Sequence, residues 1–269
     1  MRSSRLTGSR TACSLAVIFL SLVVHGFQAG ALGLYWDDSG QLLQAFEALQ
    51  HHPLAFVLTD TAGSLPSERP FAFFAFALTR LAFLDGVAAV HWLLVVLLTV
   101  NALAIAAVAR RLVGHEWFAF AVAAIFLTYP LAPLQPLWPA TVHYQVACLL
   151  ALASILCLDR TTPSRSERGG RWLVAGAFAY AGAVTTHEGL ALVPPAYFVA
   201  RWAWAEAGER SVVTGRLLVL VTILMAAGFW RIALLPRYGR QMYGLSSDRM
   251  APEAFALKAG QTVVKASYP

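Results

Sequence analysis

Long apolar runs that contain almost no charged residues recur along this chain, and they restrict its fold more than any other feature. Hydrophobic residues make up 58% of the sequence and charged residues only 13%, about half the charged share of an average soluble protein. A soluble chain of 269 residues could not hide so much apolar surface from water. Because a lipid bilayer covers such surface and helices satisfy their own backbone there, the composition predicts an all-α, polytopic membrane protein.

The apolar runs are long enough to cross a bilayer several times. A helix needs about 20 mainly apolar residues to span the hydrocarbon core, and on this criterion the sequence predicts about seven spanning helices. They are expected at Cys13–Leu34, His91–Arg110, Trp117–Leu134, Thr141–Leu158, Trp172–Thr186, Leu190–Trp204 and Leu217–Leu235. The first run also has the basic start of a secretory signal, but its length favours a retained anchor.

The placement of the arginines predicts the orientation of these spans. Cytoplasmic loops of membrane proteins are enriched in arginine and lysine. With the N-terminus in the cytoplasm, the inner side carries Arg2, Arg5, Arg10, Arg110, Arg111, Arg160, Arg165, Arg168, Arg171, Arg201, Arg210 and Arg216. The outer connections carry only Arg69 and Arg80. The net charge of +6 is therefore a topology signal for a multi-pass protein of the cell (inner) membrane, and it does not indicate a nucleic-acid partner.

The longest outer connection, residues 35–90, predicts two helices that lie in the membrane interface. Asp38-Ser39 can cap the first, which carries apolar residues at helical spacing. The second opens at Pro70 and ends at Asp85-Gly86, and it is too short to span the bilayer. Residues 1–240 are thus assigned to a membrane-embedded module and residues 241–269 to a polar extracytoplasmic tail.

Acidic and histidine side chains are scarce, so their positions indicate candidate sites. Asp37 and Asp38 stand together where the first span emerges on the outer face. Glu188, beside His187, lies at the outer turn between the fifth and sixth spans, and His143 lies at the outer end of the fourth. Ionisable groups at membrane depth are costly and tend to be functional, so this outer face is the expected site.

The acidic residues allow a catalytic and a structural interpretation. Asp37 and Asp38 can supply a general base or ligands for a divalent metal, or they can simply cap the following helix. Glu188 can be a second carboxylate of the site or a turn residue solvated by lipid headgroups. His143 and His187 are interpreted as hydrogen-bonded interfacial histidines more readily than as metal ligands.

Three arginines on the outer side are candidate phosphate partners. Arg69 can hold a phosphate through its planar guanidinium, and Arg231 and Arg237 near the outer end of the last span are its rivals. Each of them can equally extend toward lipid headgroups.

The order and spacing of these features resembles the type C glycosyltransferase superfamily, membrane enzymes that use polyprenyl-phosphate sugars and include the protein O-mannosyltransferases. The resemblance covers roughly residues 10–240. It rests on Tyr35-Trp36-Asp37-Asp38 after the first span, Glu68-Arg69-Pro70, His91-Trp92 with Asn101, Phe126-Leu127-Thr128-Tyr129-Pro130, Trp138, and Thr186-His187-Glu188-Gly189 followed by Pro194. The last turn is similar to a Lys-Glu turn in tetratricopeptide-bearing mannosyltransferases, with His187 in place of the lysine.

The resemblance implies sugar transfer from a polyprenyl-phosphate donor, with inversion, at the outer face. Asp37, or alternatively Asp38, would act as general base on the acceptor hydroxyl. The departing phosphate needs a cation, which Arg69, an arginine among residues 231–240, or a divalent metal held by Asp37 and Glu188 would supply. The sequence identifies neither the sugar nor the acceptor. The divalent metal is the only cofactor that it allows for, and the reaction does not require it if an arginine supplies the positive charge.

Two other classes of protein compete with the enzyme. A transporter or flippase subunit predicts ionisable residues near the midplane and paired broken helices, and a noncatalytic membrane scaffold predicts a dispensable acidic pair. Members of the superfamily usually continue beyond seven spans, whereas this sequence stops at Pro269. A fragment, a truncated frame and a minimal module all fit that end.

Overall fold

The computed structural model describes residues 2–32, 71–129, 138–161 and 167–229, and within these ranges it contains helices and no strands. We number the helices in chain order. They are α1 (Arg2–Ser21, continued by a π-helical turn Leu22–Gly26 and a last turn Phe27–Ala29), α2 (Ala72–Phe83), α3 (Val87–Val113), α4 (Glu116–Thr128), α5 (Val142–Leu158), α6 (Glu167–Thr186), α7 (Val193–Trp204) and α8 (Ala207–Phe229). The predicted all-helical class is therefore confirmed over the described ranges.

Helices α1 and α3–α8 follow the order of the seven predicted apolar runs, and three of them are long and apolar enough to cross a membrane. These are Ser9–Gly26 within α1, Val87–Val113 and Ala207–Phe229. A helix rises about 1.5 Å per residue, so α3 with its 27 residues is about 40 Å long. Three such helices in one chain suggest a multi-pass membrane protein.

Several predicted boundaries differ from the structure, and for two of them the sequence gives the reason. The third run was expected to reach Leu134, but α4 ends at Thr128 and Tyr129 leaves the helical conformation with φ −57° and ψ 135°. Tyr129 precedes Pro130, whose ring disfavours helical backbone at the residue before it. The last run was expected to begin at Leu217, but α8 begins at Ala207. Hydropathy misses its first turns because they carry Glu209, Arg210 and Arg216.

The helix ends sort into two opposite faces. At one face, which we call the arginine end, five ion pairs join residues of α1, α3, α4, α7 and α8 and the residue after α5: Arg10–Glu116, Arg110–Glu116, Arg111–Asp159, Arg201–Asp159 and Arg216–Asp159. The opposite face, the histidine end, holds His25, His143 and His187. There His25 Nε2 lies 3.0 Å from the carbonyl oxygen of Leu127, which joins α1 to α4. Chain neighbours such as α3 and α4 therefore run in opposite directions.

All six tryptophans in the described ranges lie near helix ends and are exposed. Four are at the arginine end and two at the histidine end: Trp117, Trp172, Trp202 and Trp204, then Trp92 and Trp138. Exposed tryptophans concentrate at the two membrane–water interfaces of membrane proteins. The two groups of tryptophans thus support a bilayer running between the two ends of the bundle.

A small residue and a pair of amides join neighbouring helices of the bundle. A Cβ added to Gly176 of α6 would lie 2.7 Å from Leu158 Cγ, so these two helices approach closely. Between α3 and α5, the Asn101 side-chain amide donates to Gln145 Oε1 at 2.7 Å and to the Gln145 carbonyl oxygen at 3.0 Å. Close approach at small residues and interhelical hydrogen bonds are the usual means of helix association in lipid.

Helix α2 corresponds to the second predicted interfacial helix, and it packs against α3 and α5. Ala72, Ala75 and Phe76 are buried against the bundle, while Phe74 and Leu78 are exposed on the other side. The helix ends at a turn where Gly86 adopts φ 99°, as the Asp85-Gly86 signal predicted. The first predicted interfacial helix and the 241–269 tail lie outside the described residues, and the lipid position of α2 stays a prediction.

Candidate functional site

The structure describes three of the eight predicted site residues and brings all three together. His143, His187 and Glu188 meet at the histidine end of the bundle. The other five predicted site residues lie outside the described residues: Asp37, Asp38, Arg69, Arg231 and Arg237. The candidate site is therefore built here from the end of α6 and the start of α5.

His143 occupies the first turn of α5 and is 4% exposed. A short 3-10 turn, Pro139–Thr141, leads into this helix, and the Thr141 hydroxyl donates to the carbonyl oxygen of Trp138 at 2.7 Å. Phe76 of α2 lies on one side of His143, with 5.9 Å between the ring centroids. The imidazole is thus enclosed by two helices at the edge of the bundle.

Tyr144 links the two histidines of the site. Its ring centroid lies 4.2 Å from that of His143 and 4.2 Å from that of His187. The His143 and His187 centroids are 6.1 Å apart, in an edge-to-face arrangement. Edge-to-face ring contacts are favourable and directional, so the cluster sets the orientation of the His187 ring.

The turn after α6 places His187 and Glu188 at the surface of the bundle. Helix α6 ends at Thr186, and His187 adopts extended backbone before the 3-10 turn Glu188–Leu190. The Tyr180 hydroxyl donates to the carbonyl oxygen of Ala191 at 2.7 Å, which ties the turn back to α6. Pro194, whose missing N–H costs nothing in a first helical turn, is the second residue of α7.

The pair of adjacent polar side chains in this turn is accessible. The His187 and Glu188 side chains are 23% and 46% exposed, and His187 Nδ1 lies 3.8 Å from Glu188 Oε2. The Glu188 carboxylate can accept a hydrogen bond from a hydroxyl group, whereas the His187 Nδ1 beside it is buried. Among the described residues, no group of three or more histidine, cysteine, aspartate or glutamate side chains is arranged to hold a metal ion.

The His187 ring occupies space that a side chain at position 189 would need, and Gly189 leaves that space free. A Cβ added at Gly189 would lie 2.9 Å from His187 Nε2 and 3.4 Å from its Cδ2. Real Cβ atoms essentially never approach another atom so closely. The ring therefore lies directly over this glycine, and any larger residue there would displace it.

Both chain segments that flank residues 33–70 belong to the histidine half of the bundle. On one side, α1 passes the His25–Leu127 contact shortly before the described segment ends at residue 32. On the other side, the chain resumes at Phe71, whose ring centroid lies 5.7 Å from that of Phe178 in α6. The acidic pair and Arg69 are thus connected by sequence to the half that carries the candidate site.

Sequence reasoning missed several residues that the structure makes prominent. Tyr144 and Phe76 contact His143. Nothing in their spacing predicts that they lie near the turn at His187, which is more than 40 residues further along the chain. Glu116 and Asp159 were also not predicted as important, although each forms ion pairs with arginines. Their signal was available, since both are rare acids placed beside arginines at the ends of apolar runs.

The fold and these contacts define an α-helical chain with three candidate spans and a polar cluster at one end. The chain matches no protein-family model, no curated protein and no solved structure. Functional inference therefore rests on the chemistry of its own residues.

Proposed function

We propose that this protein is a membrane glycosyltransferase that moves a sugar from a polyprenyl-phosphate donor to an acceptor at the outer face of the membrane. In this proposal the arginine end faces the cytoplasm and the histidine end faces outward, as the enrichment of arginine in cytoplasmic segments requires. The seven helices α1 and α3–α8 would span the bilayer, and α2 would lie at its outer surface.

One observation carries the proposal: His143, His187 and Glu188 meet in the same half of the bundle as His25 and Phe71, which belong to the two described segments that flank residues 33–70. A transferase of this kind needs carboxylates from distant parts of the chain at a single site bordered by lipid. Glu188 supplies one carboxylate there. The segment that carries Asp37 and Asp38 is attached to the same half.

The chemistry follows from these residue types. An aspartate carboxylate, Asp37 or its neighbour Asp38, takes the proton of the acceptor hydroxyl, whose oxygen attacks the anomeric carbon. The bond between that carbon and the phosphate oxygen breaks, which gives an inverted glycoside and free polyprenyl phosphate. A guanidinium such as Arg69 would stabilise the developing phosphate charge. Glu188, whose side chain is 46% exposed, would orient the acceptor hydroxyl, with the His187 ring beside it.

The position of the charged residues favours an enzyme over a transporter. A transporter is expected to carry ionisable residues near the bilayer midplane. Over the described residues, no acidic side chain lies at the centre of a helix, and Arg216, the tenth residue of α8, pairs with Asp159 just beyond the end of α5. The acids and arginines lie near the ends.

The decisive experiment replaces the two aspartates separately. The purified chain is reconstituted in liposomes with a radiolabelled polyprenyl-phosphate hexose, and transfer to a panel of acceptor peptides and glycans is measured. We expect Asp37→Asn, or Asp38→Asn if it holds the base, to lower transfer at least about 100-fold, as loss of a general base does. Asp85→Asn, at the exposed turn before α3, is the matched control and should retain transfer. Undiminished transfer in both variants would remove the assignment.

A second prediction concerns the His187 ring. Gly189→Ala should displace this ring, because the added Cβ would lie 2.9 Å from Nε2. The fold should survive, since a partly exposed side chain can move aside at a cost of about 1 kcal/mol or less. We expect transfer to fall about 10-fold while the melting temperature changes little. Gly208→Ala, where nothing lies within 4 Å of the new Cβ, is the control. Equal transfer by both alanine variants would show that the ring position is irrelevant.

A further inference from the structure

At the arginine end, three arginines surround one aspartate. Asp159 at the end of α5 lies 3.4 Å from Arg111 of α3, 3.4 Å from Arg216 of α8 and 4.0 Å from Arg201 of α7. Glu209 adds a more distant negative charge that acts on Arg216. Three guanidinium groups therefore converge on a single carboxylate, and positive charge is left in excess.

The two closer arginines already occupy the carboxylate. Arg111 donates to Asp159 Oδ2 and to the Leu156 carbonyl oxygen, and Arg216 donates to Asp159 Oδ1. Arg216 also donates to the Thr161 hydroxyl and carbonyl oxygens at 2.9 and 2.6 Å. Arg201 Nε, 4.0 Å from Asp159 Oδ1, lies outside hydrogen-bonding distance of the carboxylate.

Two buried donors on α7 lack an acceptor among the described residues. They are the Nε of Arg201 and the hydroxyl of Tyr197, one helical turn earlier on the same side of the helix. Tyr197 is 7% exposed, so water does not readily satisfy its hydroxyl. A buried donor without an acceptor is costly, so such groups usually have a partner.

We propose that Tyr197, Arg201 and the neighbouring Arg216 bind a phosphate group at the arginine end. A phosphate offers several acceptor oxygens, and arginine holds it through paired N–H donors. It would supply both missing acceptors and balance the excess positive charge. This site is remote from the glycosyl-transfer site at the histidine end and does not depend on the proposed function.

The surroundings place this group at headgroup depth. Trp202 and Trp204 follow Arg201 at the end of α7, and both are exposed. Exposed tryptophans are enriched at the membrane–water interface, where phospholipid phosphates lie. The phosphate is therefore either that of an anionic phospholipid or a free phosphate ion, and both offer anionic oxygens to the same donors.

The test uses the full chain, freed of lipid in a neutral detergent, and follows its melting temperature. Phosphatidylglycerol, phosphatidylcholine with the same acyl chains, and inorganic phosphate at ionic strength matched with chloride are titrated separately. We expect phosphatidylglycerol to raise the melting temperature by several degrees, since a ligand that binds only the folded state stabilises it increasingly as its concentration exceeds Kd. A shift with inorganic phosphate alone would assign the site to a soluble phosphate.

Matched variants separate the site from general charge effects. Arg201→Gln leaves both close partners of Asp159 in place. We expect it to weaken the apparent affinity for the phosphate ligand about 10-fold. Tyr197→Phe removes only the hydroxyl and should weaken it about 3-fold without loss of the fold. Arg210→Gln, an exposed arginine stacked on Trp202, is the control and should stay within 2-fold. The proposal is overturned if neither ligand exceeds chloride, or if Arg201→Gln and Arg210→Gln behave alike.

Discussion

Gly176→Leu is expected to separate α5 from α6 and to destabilise the fold by about 3 kcal/mol or more. Even the first carbon of a side chain at Gly176 would lie 2.7 Å from Leu158 Cγ and 3.2 Å from the Leu158 backbone nitrogen. Leu158 is fully buried, so it has no free space into which it can move. The helices themselves must shift, which thermal unfolding in detergent, followed by circular dichroism, will measure.

Gly170→Leu is the matched control on the same helix. Nothing lies within 4 Å of a Cβ added at Gly170, so leucine there should be neutral or should stabilise the helix by about 0.5–1 kcal/mol. Combining Gly176→Ala with Leu158→Ala should cost less than the sum of the two single changes, because the second removes the side chain that the first would strike. Additive losses would mean that α5 and α6 do not pack at this point.

Asp159→Asn is the second change with a large expected effect, about 3 kcal/mol of lost stability. The aspartate accepts from Arg111 and Arg216 and is only 12% exposed. A neutral side chain at that position would leave three guanidinium groups facing one another across α3, α7 and α8. The melting temperature of the purified chain in detergent is the measurement, at low salt and again at high salt.

Glu206→Gln removes a carboxylate at the same end of the bundle without touching this network. Glu206 is exposed, so its replacement should change stability by less than about 0.5 kcal/mol. The difference between the two variants should shrink at high salt, which screens the repulsion among the arginines. If Asp159→Asn and Glu206→Gln lowered the melting temperature equally, Asp159 would not be the centre of an ion-pair network.

Helix α3 shows why much of the fold was predictable. It was expected at His91–Arg110 and extends over Val87–Val113. Its apolar run has no internal charge, and it is bounded by Gly86 and Gly114, both with positive φ. Glycine adopts that conformation without strain, so it marks the ends of helices. An uninterrupted run between two such signals leaves little freedom in the assignment.

The candidate site was predictable only in part, because hydropathy locates helices but not their neighbours. His187 and Glu188 were recognised as polar residues in a short turn between apolar runs. The contact of Tyr144 with His187 depends on how α5 packs against α6, which no local pattern encodes. The Asp159 network depends likewise on the packing of three other helices around the end of α5.

The most direct test of the proposed site is a cross-link between the acidic pair and the turn after α6. In a chain whose Cys13, Cys148 and Cys157 are replaced by serine, cysteines are placed at Asp37 and Glu188. A short, membrane-impermeant bifunctional thiol reagent is then added to intact cells.

We expect the chain with Asp37→Cys and Glu188→Cys to become cross-linked from the outside. The chain with Asp37→Cys and Arg210→Cys should not, since Arg210 lies at the arginine end. If the first pair fails to link, although each cysteine alone reacts with a monofunctional reagent, the two carboxylates do not lie at a single site. Labelling of Glu188→Cys only after the cells are permeabilised would place the histidine end in the cytoplasm, and either result contradicts the proposed site.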